Sequence, residues 1–162
     1  MKYSSKIVTN HKELLKKRRA AKKCREIVVF TNGCFDLLHP GHTRYLKDAK
    51  ALGDHLIVAI NSDKSVRTIK GAGRPIQSEQ ARAEVLAALE AVDWVTLFDE
   101  ETPYNLIKLL EPDILVKGGD WAIEKIVGAD LVEGSGGKVT AIPVTYEGST
   151  SDIIEKILHS SL

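Results

Sequence analysis

Short apolar, strand-like runs alternate with helix-like segments along nearly the whole chain, which predicts an α/β fold. The expected architecture is a single Rossmann-like domain, a parallel sheet with helices on both faces. Two further observations agree. The apolar run Ile27, Val28, Val29, Phe30 breaks into Thr31, Asn32, Gly33, Cys34, Phe35, Asp36 and then His39, Pro40, Gly41, His42, a strand passing through a Gly-containing turn into a helix. The 162 residues suffice for one domain with a sizeable core and are too few for two ordinary ones. Residues 1–162 are therefore read as one domain, with residues 1–26 an N-terminal helical extension packed on it.

Each element has a local reason. A first helix runs from an Asn10 cap, with Glu13 closing a capping box, to about Lys23. After the first strand, a helix from Gly41 to Leu52 carries Tyr45, Leu46, Ala49 and Leu52 on one face and stops at Gly53. Strand two is Leu56 to Ile60. The polar, Gly-rich stretch Asn61 to Pro75, with Lys64, Arg67, Lys70 and Arg74, reads as a mobile functional loop or a short helix. An Ala-rich helix spans Ser78 to Leu89, strand three Trp94 to Phe98, and a helix from Pro103 to Leu110 begins with its proline. Strand four, Ile114 to Val116, runs into a loop of Lys117, Gly118, Gly119, Asp120 and Trp121. A short helix over Asp130 to Glu133, strand five over Val139 to Pro143 and a closing helix from Thr150 to about Leu158 complete the chain.

Composition removes several classes of function. Net charge is +1 with charges well mixed, and the cluster Lys16, Lys17, Arg18, Arg19, Lys22, Lys23 interleaves with Leu14, Leu15, Ala20 and Ala21 as a solvated helix face would. No nucleic-acid partner is expected. No apolar run approaches ~18 residues and no signal-peptide core opens the chain, so the expectation is a cytoplasmic protein without membrane contact. Cys24 and Cys34 have neither disulfide-framework nor zinc-site spacing, and Cys34 reads as a small residue tolerated in its loop.

In an open parallel sheet the ligand lies over the carboxyl ends of the strands. Three loops qualify: Asn32 to His42, Lys117 to Trp121, and Thr145 to Ser151. In the first, the open helix end and two imidazoles three residues apart offer donors to a phosphate. In the third, Ser149, Thr150 and Ser151 form either a second anion cup or an ordinary helix cap. Two cups on one sheet edge fit a nucleoside triphosphate. His11, His55 and His159 read as structural. Asp36 is either a turn residue or a carboxylate touching Mg²⁺ or a sugar hydroxyl, and Lys70, Arg74 and Arg82 are either surface charges or cations for the phosphates. Lys70 is the best candidate for a movable cation. Trp121 either stacks on a base or sugar or anchors its loop.

The segment Gly33, Cys34, Phe35, Asp36 with His39, Pro40, Gly41, His42, followed by Ser149, Thr150, Ser151 before the last helix, resembles the cytidylyltransferase-like nucleotidyltransferase superfamily. Phe30 to His42, Asn61 to Asp63, Lys70 to Pro75, Arg82 to Asp93, Thr102-Pro103 and Leu115 to Asp120 are similar to the adenylyltransferase domain of the bacterial bifunctional heptose kinase/adenylyltransferases. With no kinase segment ahead of it, the resemblance implies a separate enzyme served by an independent kinase. It implies the nucleotidyltransferase fold and adenylyl transfer from ATP, with Mg²⁺, to D-glycero-β-D-manno-heptose 1-phosphate. The products would be ADP-heptose and pyrophosphate, for surface polysaccharide such as lipopolysaccharide.

By the same resemblance His39, His42 and Lys70 are catalytic. Thr31, Asn32, Gly33, Cys34, Phe35, Arg82, Lys117, Gly118, Asp120, Ser149, Thr150 and Ser151 would bind nucleotide. Asp36, Asp63 and Trp121 would border the acceptor, and the metal ligands are left open. A homodimer is implied as well. Where the glycerol-phosphate cytidylyltransferases carry an arginine before the Ser/Thr cup, this chain has Val144, Thr145 and Tyr146, so that substrate is not carried over. Cytidylyl or guanylyl transfer to another sugar or alcohol phosphate is the alternative, and a non-catalytic nucleotide-binding module the more distant one.

Overall fold

The computed structural model describes residues 4–143, 146 and 148–160. A 3-10 turn, Ser4–Lys6, precedes α1 (His11–Lys23), β1 (Val28–Gly33), α2 (Pro40–Lys50), β2 (His55–Asn61), α3 (Asp63–Lys70) and α4 (Glu79–Ala87). Then come β3 (Trp94–Phe98), α5 (Tyr104–Leu110), β4 (Ile114–Gly118), a 3-10 turn Ile123–Lys125, α6 (Ala129–Gly134), β5 (Lys138–Ile142) and α7 (Thr150–Ser160). Thr145 and Glu147 of the third loop, and Val144 beside it, lie outside the described residues.

All strand pairs are parallel and the order is β3-β2-β1-β4-β5. The chain winds outward from β1 in one direction through β2 and β3, then returns to the other side of β1 for β4 and β5. This reversal opens a crevice between the carboxyl ends of β1 and β4, the position where doubly wound sheets bind ligands.

Strand periodicity builds two cores. Val28 and Phe30 of β1 join Leu14, Leu106, Ile107, Leu110 and Val132 on one face, whereas Val29, one residue out of phase, joins Leu46, Ala49, Leu86 and Ala87 on the other. Buried on both sides, Val28 to Phe30 of β1 and Leu56 to Ile60 of β2 are continuous apolar runs rather than alternating ones. At the opposite sheet edge, aspartates accept the first strand amides: Asp113 from Val28 at 2.8 Å and Asp93 from Leu56 at 2.7 Å. These bonds anchor the strand starts.

Several expectations are corrected. Arg18 is not on the solvated face of α1: it is 2% exposed, and its Nε and Nη2 donate to the Glu111 carbonyl at 3.1 and 2.7 Å, capping the left-handed end of α5. Nη2 also pairs with Asp113 at 2.9 Å. Ala20 is exposed, and the buried stripe of α1 is Leu14, Arg18 and Ala21. Of the two readings of the stretch after β2, the short helix is the one that forms: Ser62 caps α3 through the Ser65 amide and Val66 packs inside. Strand β4 extends through Gly118, since Lys117 and Gly118 still pair with Ala141 and Ile142. Helix α2 ends at Lys50, with Ala51 as its cap. Pro103 stands outside α5 as its N-cap.

Candidate active site

The crevice holds an open cleft of about 230 Å³, lined by β1-loop residues from Asn32 to Asp36, the two histidines, Lys70, Arg74, Lys117, Gly118 and Thr150. Strand β1 delivers the loop and α2 receives it. Phe35 turns the chain with φ 47°, a left-handed conformation costly for an aromatic residue, which swings the following residues back under the cleft. His39 is the N-cap of α2, yet its side chain makes no capping bond, so the positive end of the helix faces the cleft.

The imidazoles of His39 and His42 lie together, ring centroids 3.9 Å apart, with Tyr146 stacked on the outer face of His39 at 5.2 Å and Phe35 tilted against His42 at 5.3 Å. Gly41 makes this possible. A Cβ there would meet the His39 ring at 2.9 Å. Both Nδ1 atoms are shielded from water without a hydrogen-bond partner among the described residues. Burial pushes the His42 pKa down to about 4, and the neighbouring His39 and Lys70 push in the same direction. Burial lowers His39 as well, partly offset by Asp152. In the free protein, then, His42 is a neutral imidazole packed between the Phe35 and His39 rings, with Lys70 nearby.

Asp36 occupies a different role from the metal or acceptor contact expected. Its side chain is wholly shielded: Arg74 Nε donates to Oδ2 at 2.6 Å, and the amides of Ile76 and Gln77 donate to the same carboxylate at 2.9 Å. Burial alone would raise its pKa, but these donors overcome it and hold the carboxyl below its ordinary value. Asp36 fastens the chain after α3 onto the β1 loop.

Arg82 is likewise drawn beneath the site. Its side chain is 0% exposed, donating from Nη1 to the Cys34 carbonyl at 2.7 Å, from Nε to the Gln77 carbonyl at 3.1 Å and from Nη2 to Asp63 at 2.7 Å. It supports the β1 loop from behind, and Asp63 is its partner rather than a residue of the cleft. Thr31 is fully buried, hydrogen-bonded to the Tyr45 hydroxyl, so its side chain does not reach the cleft. The Tyr45 hydroxyl also donates to the Val116 carbonyl at 3.2 Å, tying β1 to β4 behind the crevice.

On the β4 side, Lys117 is half-buried and desolvation lowers its pKa, opposed by Cys34. Asp120 and Trp121 are exposed outside the cleft, and the indole Nε1 donates to the Gly118 carbonyl at 3.1 Å, an anchoring contact. Of the three hydroxyls at the start of α7, Ser149, Thr150 and Ser151, only Thr150 lines the cleft, its Oγ1 donating to the Leu37 carbonyl at 3.0 Å. Ser149 and Asp152 cap the helix reciprocally, and Ser151 is exposed. Lys70 reaches the cleft from the exposed last position of α3. Arg74, one of the three cations weighed for the phosphates, and Tyr45, read from sequence only as part of a helix face, complete its wall. Only their long-range partners distinguish them, and no local spacing signals those.

No cluster of His, Cys, Asp and Glu fit to hold a metal ion occurs among the described residues, and the one carboxylate in the cleft wall, Asp36, is saturated by donors. The donor set therefore does not fit a resident metal. No helix among the described residues is long and apolar enough to cross a membrane.

A parallel sheet in 3-2-1-4-5 order, with paired imidazoles on an open helix N-terminus at its switch point, defines a nucleotide-handling α/β domain. The chain belongs to the cytidylyltransferase-like family, whose model matches residues 30–156, and is thereby a nucleotidyltransferase. It is 58% identical over 131 residues to the bifunctional protein HldE of Syntrophotalea carbinolica, covering 81% of this chain and 27% of that protein. With the bifunctional protein HldE of Marinomonas sp. it shares 53% identity over 149 residues, covering 92% of this chain and 31% of that one. The chain thus spans less than a third of these relatives. Among solved structures, the lipopolysaccharide core biosynthesis protein of Thermoplasma volcanium aligns with TM-score 0.60 and 31% identity, covering 76% of this chain and 99% of that one. A pantoate-beta-alanine ligase from Francisella tularensis, at 16% identity and TM-score 0.63, covering 96% of this chain and 78% of that one, shares the fold.

Proposed function

We propose that this chain transfers the adenylyl group of ATP to D-glycero-β-D-manno-heptose 1-phosphate, releasing pyrophosphate and forming ADP-heptose. The observation that carries the reading is the closely packed His39–His42 pair at the open end of α2. The extent of identity with the HldE proteins directs the choice of nucleotide and acceptor. An oxygen of the sugar phosphate attacks the α-phosphorus, a P–O bond forms there, and the bond to the β-phosphate oxygen breaks as pyrophosphate departs. The attacking oxygen is already ionised, so no general base is required. What the protein must supply is alignment and charge stabilisation.

His39 and His42 are the donors toward the phosphates, with Lys70 as a cation able to follow the charge and Thr150 at the pyrophosphate end. Asn32, Gly33, Cys34 and Phe35 border the nucleotide from the β1 loop, and Lys117 and Gly118 border it from β4. Mg²⁺ enters as part of the nucleotide, ligated by its phosphates and water. The same reading puts the enzyme in the cytoplasm as a homodimer. Helix α7 buries none of its residues and exposes Ile157 and Leu158, a face that a second copy would cover; sedimentation would give the mass.

Pyrophosphate release with Mg²⁺ and the heptose phosphate, compared across ATP, CTP, GTP and UTP with a His42→Ala control, tests the reading. Turnover with ATP that the control loses supports it. Turnover only with another nucleotide replaces the base, and no turnover with any of the four overturns the acceptor.

A further inference from the structure

Resting on the transfer reaction just described, we propose that Arg74 is the fixed cation that seats the acceptor's phosphate, and that Asp36 is its positioning residue. Two cations come to the cleft from the α3 side, Lys70 and Arg74, and they differ in how they are held. Lys70 is exposed at the end of a helix and free to move. Arg74 is mostly covered, its side chain 13% exposed, with Nε locked on the Asp36 carboxylate at 2.6 Å. Its Nη2 is shielded from water yet has no hydrogen-bond partner among the described residues.

A guanidinium oriented on one edge and unsatisfied on another is preorganised for an incoming oxyanion, because its planar fork matches phosphate geometry. The nucleotide already has His39, His42, Thr150 and the β1 loop for its own phosphates. A sugar phosphate arriving beside that negative charge needs a separate cation, and an immobile one also fixes the line of attack. Asp36 supplies the immobility. Its carboxylate is bound on all sides by Arg74, Ile76 and Gln77, so it orients the guanidinium without itself meeting substrate.

The test is steady-state kinetics with each substrate varied in turn, for the wild type, Arg74→Ala, Arg74→Lys and the double variant Asp36→Asn/Arg74→Gln. The double variant replaces the ion pair by two amides, so the loop keeps a hydrogen-bonded link and its melting temperature reports folding separately. The expected result is a rise of about tenfold or more in KM for the sugar phosphate in Arg74→Ala and in the double variant, with partial recovery in Arg74→Lys. KM for ATP should stay within about twofold, since a charge-assisted contact to one ligand is being removed. A KM for the sugar phosphate unchanged in the folded double variant overturns the proposal, as does a rise confined to ATP. Calorimetric titration with inorganic phosphate, without nucleotide, separates the two readings. If no nucleotide is turned over but phosphate binds the wild type and not the double variant, the reaction fails while the role of Arg74 stands. Equal phosphate binding by both overturns the role of Arg74.

Discussion

His39 and His42 lie with ring centroids 3.9 Å apart and ring planes tilted by 36°, so close that a charge on His39 helps hold the pKa of His42 down. In the proposed reaction this pair places two N–H donors side by side at the helix end, where the transferred phosphorus would gather charge. For His42→Ala we expect kcat to fall by about 10²–10³, the scale of losing one transition-state donor, with a smaller loss of ATP affinity. Near-normal turnover in that variant would remove the histidines from the mechanism.

Triphosphate binding reverses the electrostatics that keep His42 neutral. Its pKa of about 4 reflects burial first and the charges of His39 and Lys70 second, and the negative charge of a bound polyanion works against that depression by favouring the protonated ring. ATP should therefore bind with proton uptake near neutral pH, and more tightly as pH falls. The calorimetric binding enthalpy would then differ between buffers of different ionisation enthalpy, and His42→Gln would shrink the difference. Identical enthalpies in all buffers would mean that the imidazoles stay neutral throughout.

The same displaced pKa makes folding stability depend on pH. Unfolded, His42 titrates near 6.5; folded, near 4, so between those values the unfolded chain binds more protons and stability rises with pH. The wild type should lose stability as pH drops through that window, and His42→Gln should flatten the loss. The depressed Asp36 pKa acts in the same sense but below its ordinary 3.8, and so contributes only at lower pH. Chemical denaturation at a series of pH values reads both.

Arg82 is a buried support. Replacing it by alanine leaves the Cys34 and Gln77 carbonyls and the Asp63 carboxylate without their donor, and should destabilise the fold by at least ~2 kcal/mol. Arg82→Lys should restore little, because one ammonium cannot serve three acceptors in a planar fork. A melting curve within a degree or so of wild type would contradict this.

Legibility in the sequence follows the range of the interaction responsible. Strand β3 appears at its expected bounds, and Asn10 caps α1 by accepting from Lys12 and Glu13, since local pattern decides both. The histidines were legible because two imidazoles in a Gly/Pro turn have no apolar surface to fill. Arg18 and Arg82 were not. Their partners, Glu111 and Cys34, lie 93 and 48 residues away, and only the folded chain brings a carbonyl to each guanidinium. Asp36 misled for the same reason: a carboxylate in a phosphate loop suggests a ligand until Arg74 is found on it.

Gly41 lets stability and activity be separated. Alanine is the better helix former by roughly 1 kcal/mol, so Gly41→Ala in α2 should be neutral or stabilising for the helix itself. Yet its Cβ would stand 2.9 Å from the His39 ring and 3.1 Å from Tyr146 Cβ, forcing the imidazole off its stack. A shift of about 1 Å at a reacting group can cost ~10²-fold in rate, so kcat should fall by at least tenfold or so while the melting temperature holds. Full activity in Gly41→Ala would show that the catalytic position of His39 is not the stacked one; a fall in both activity and melting temperature would mean that the loop, rather than the ring, gives way.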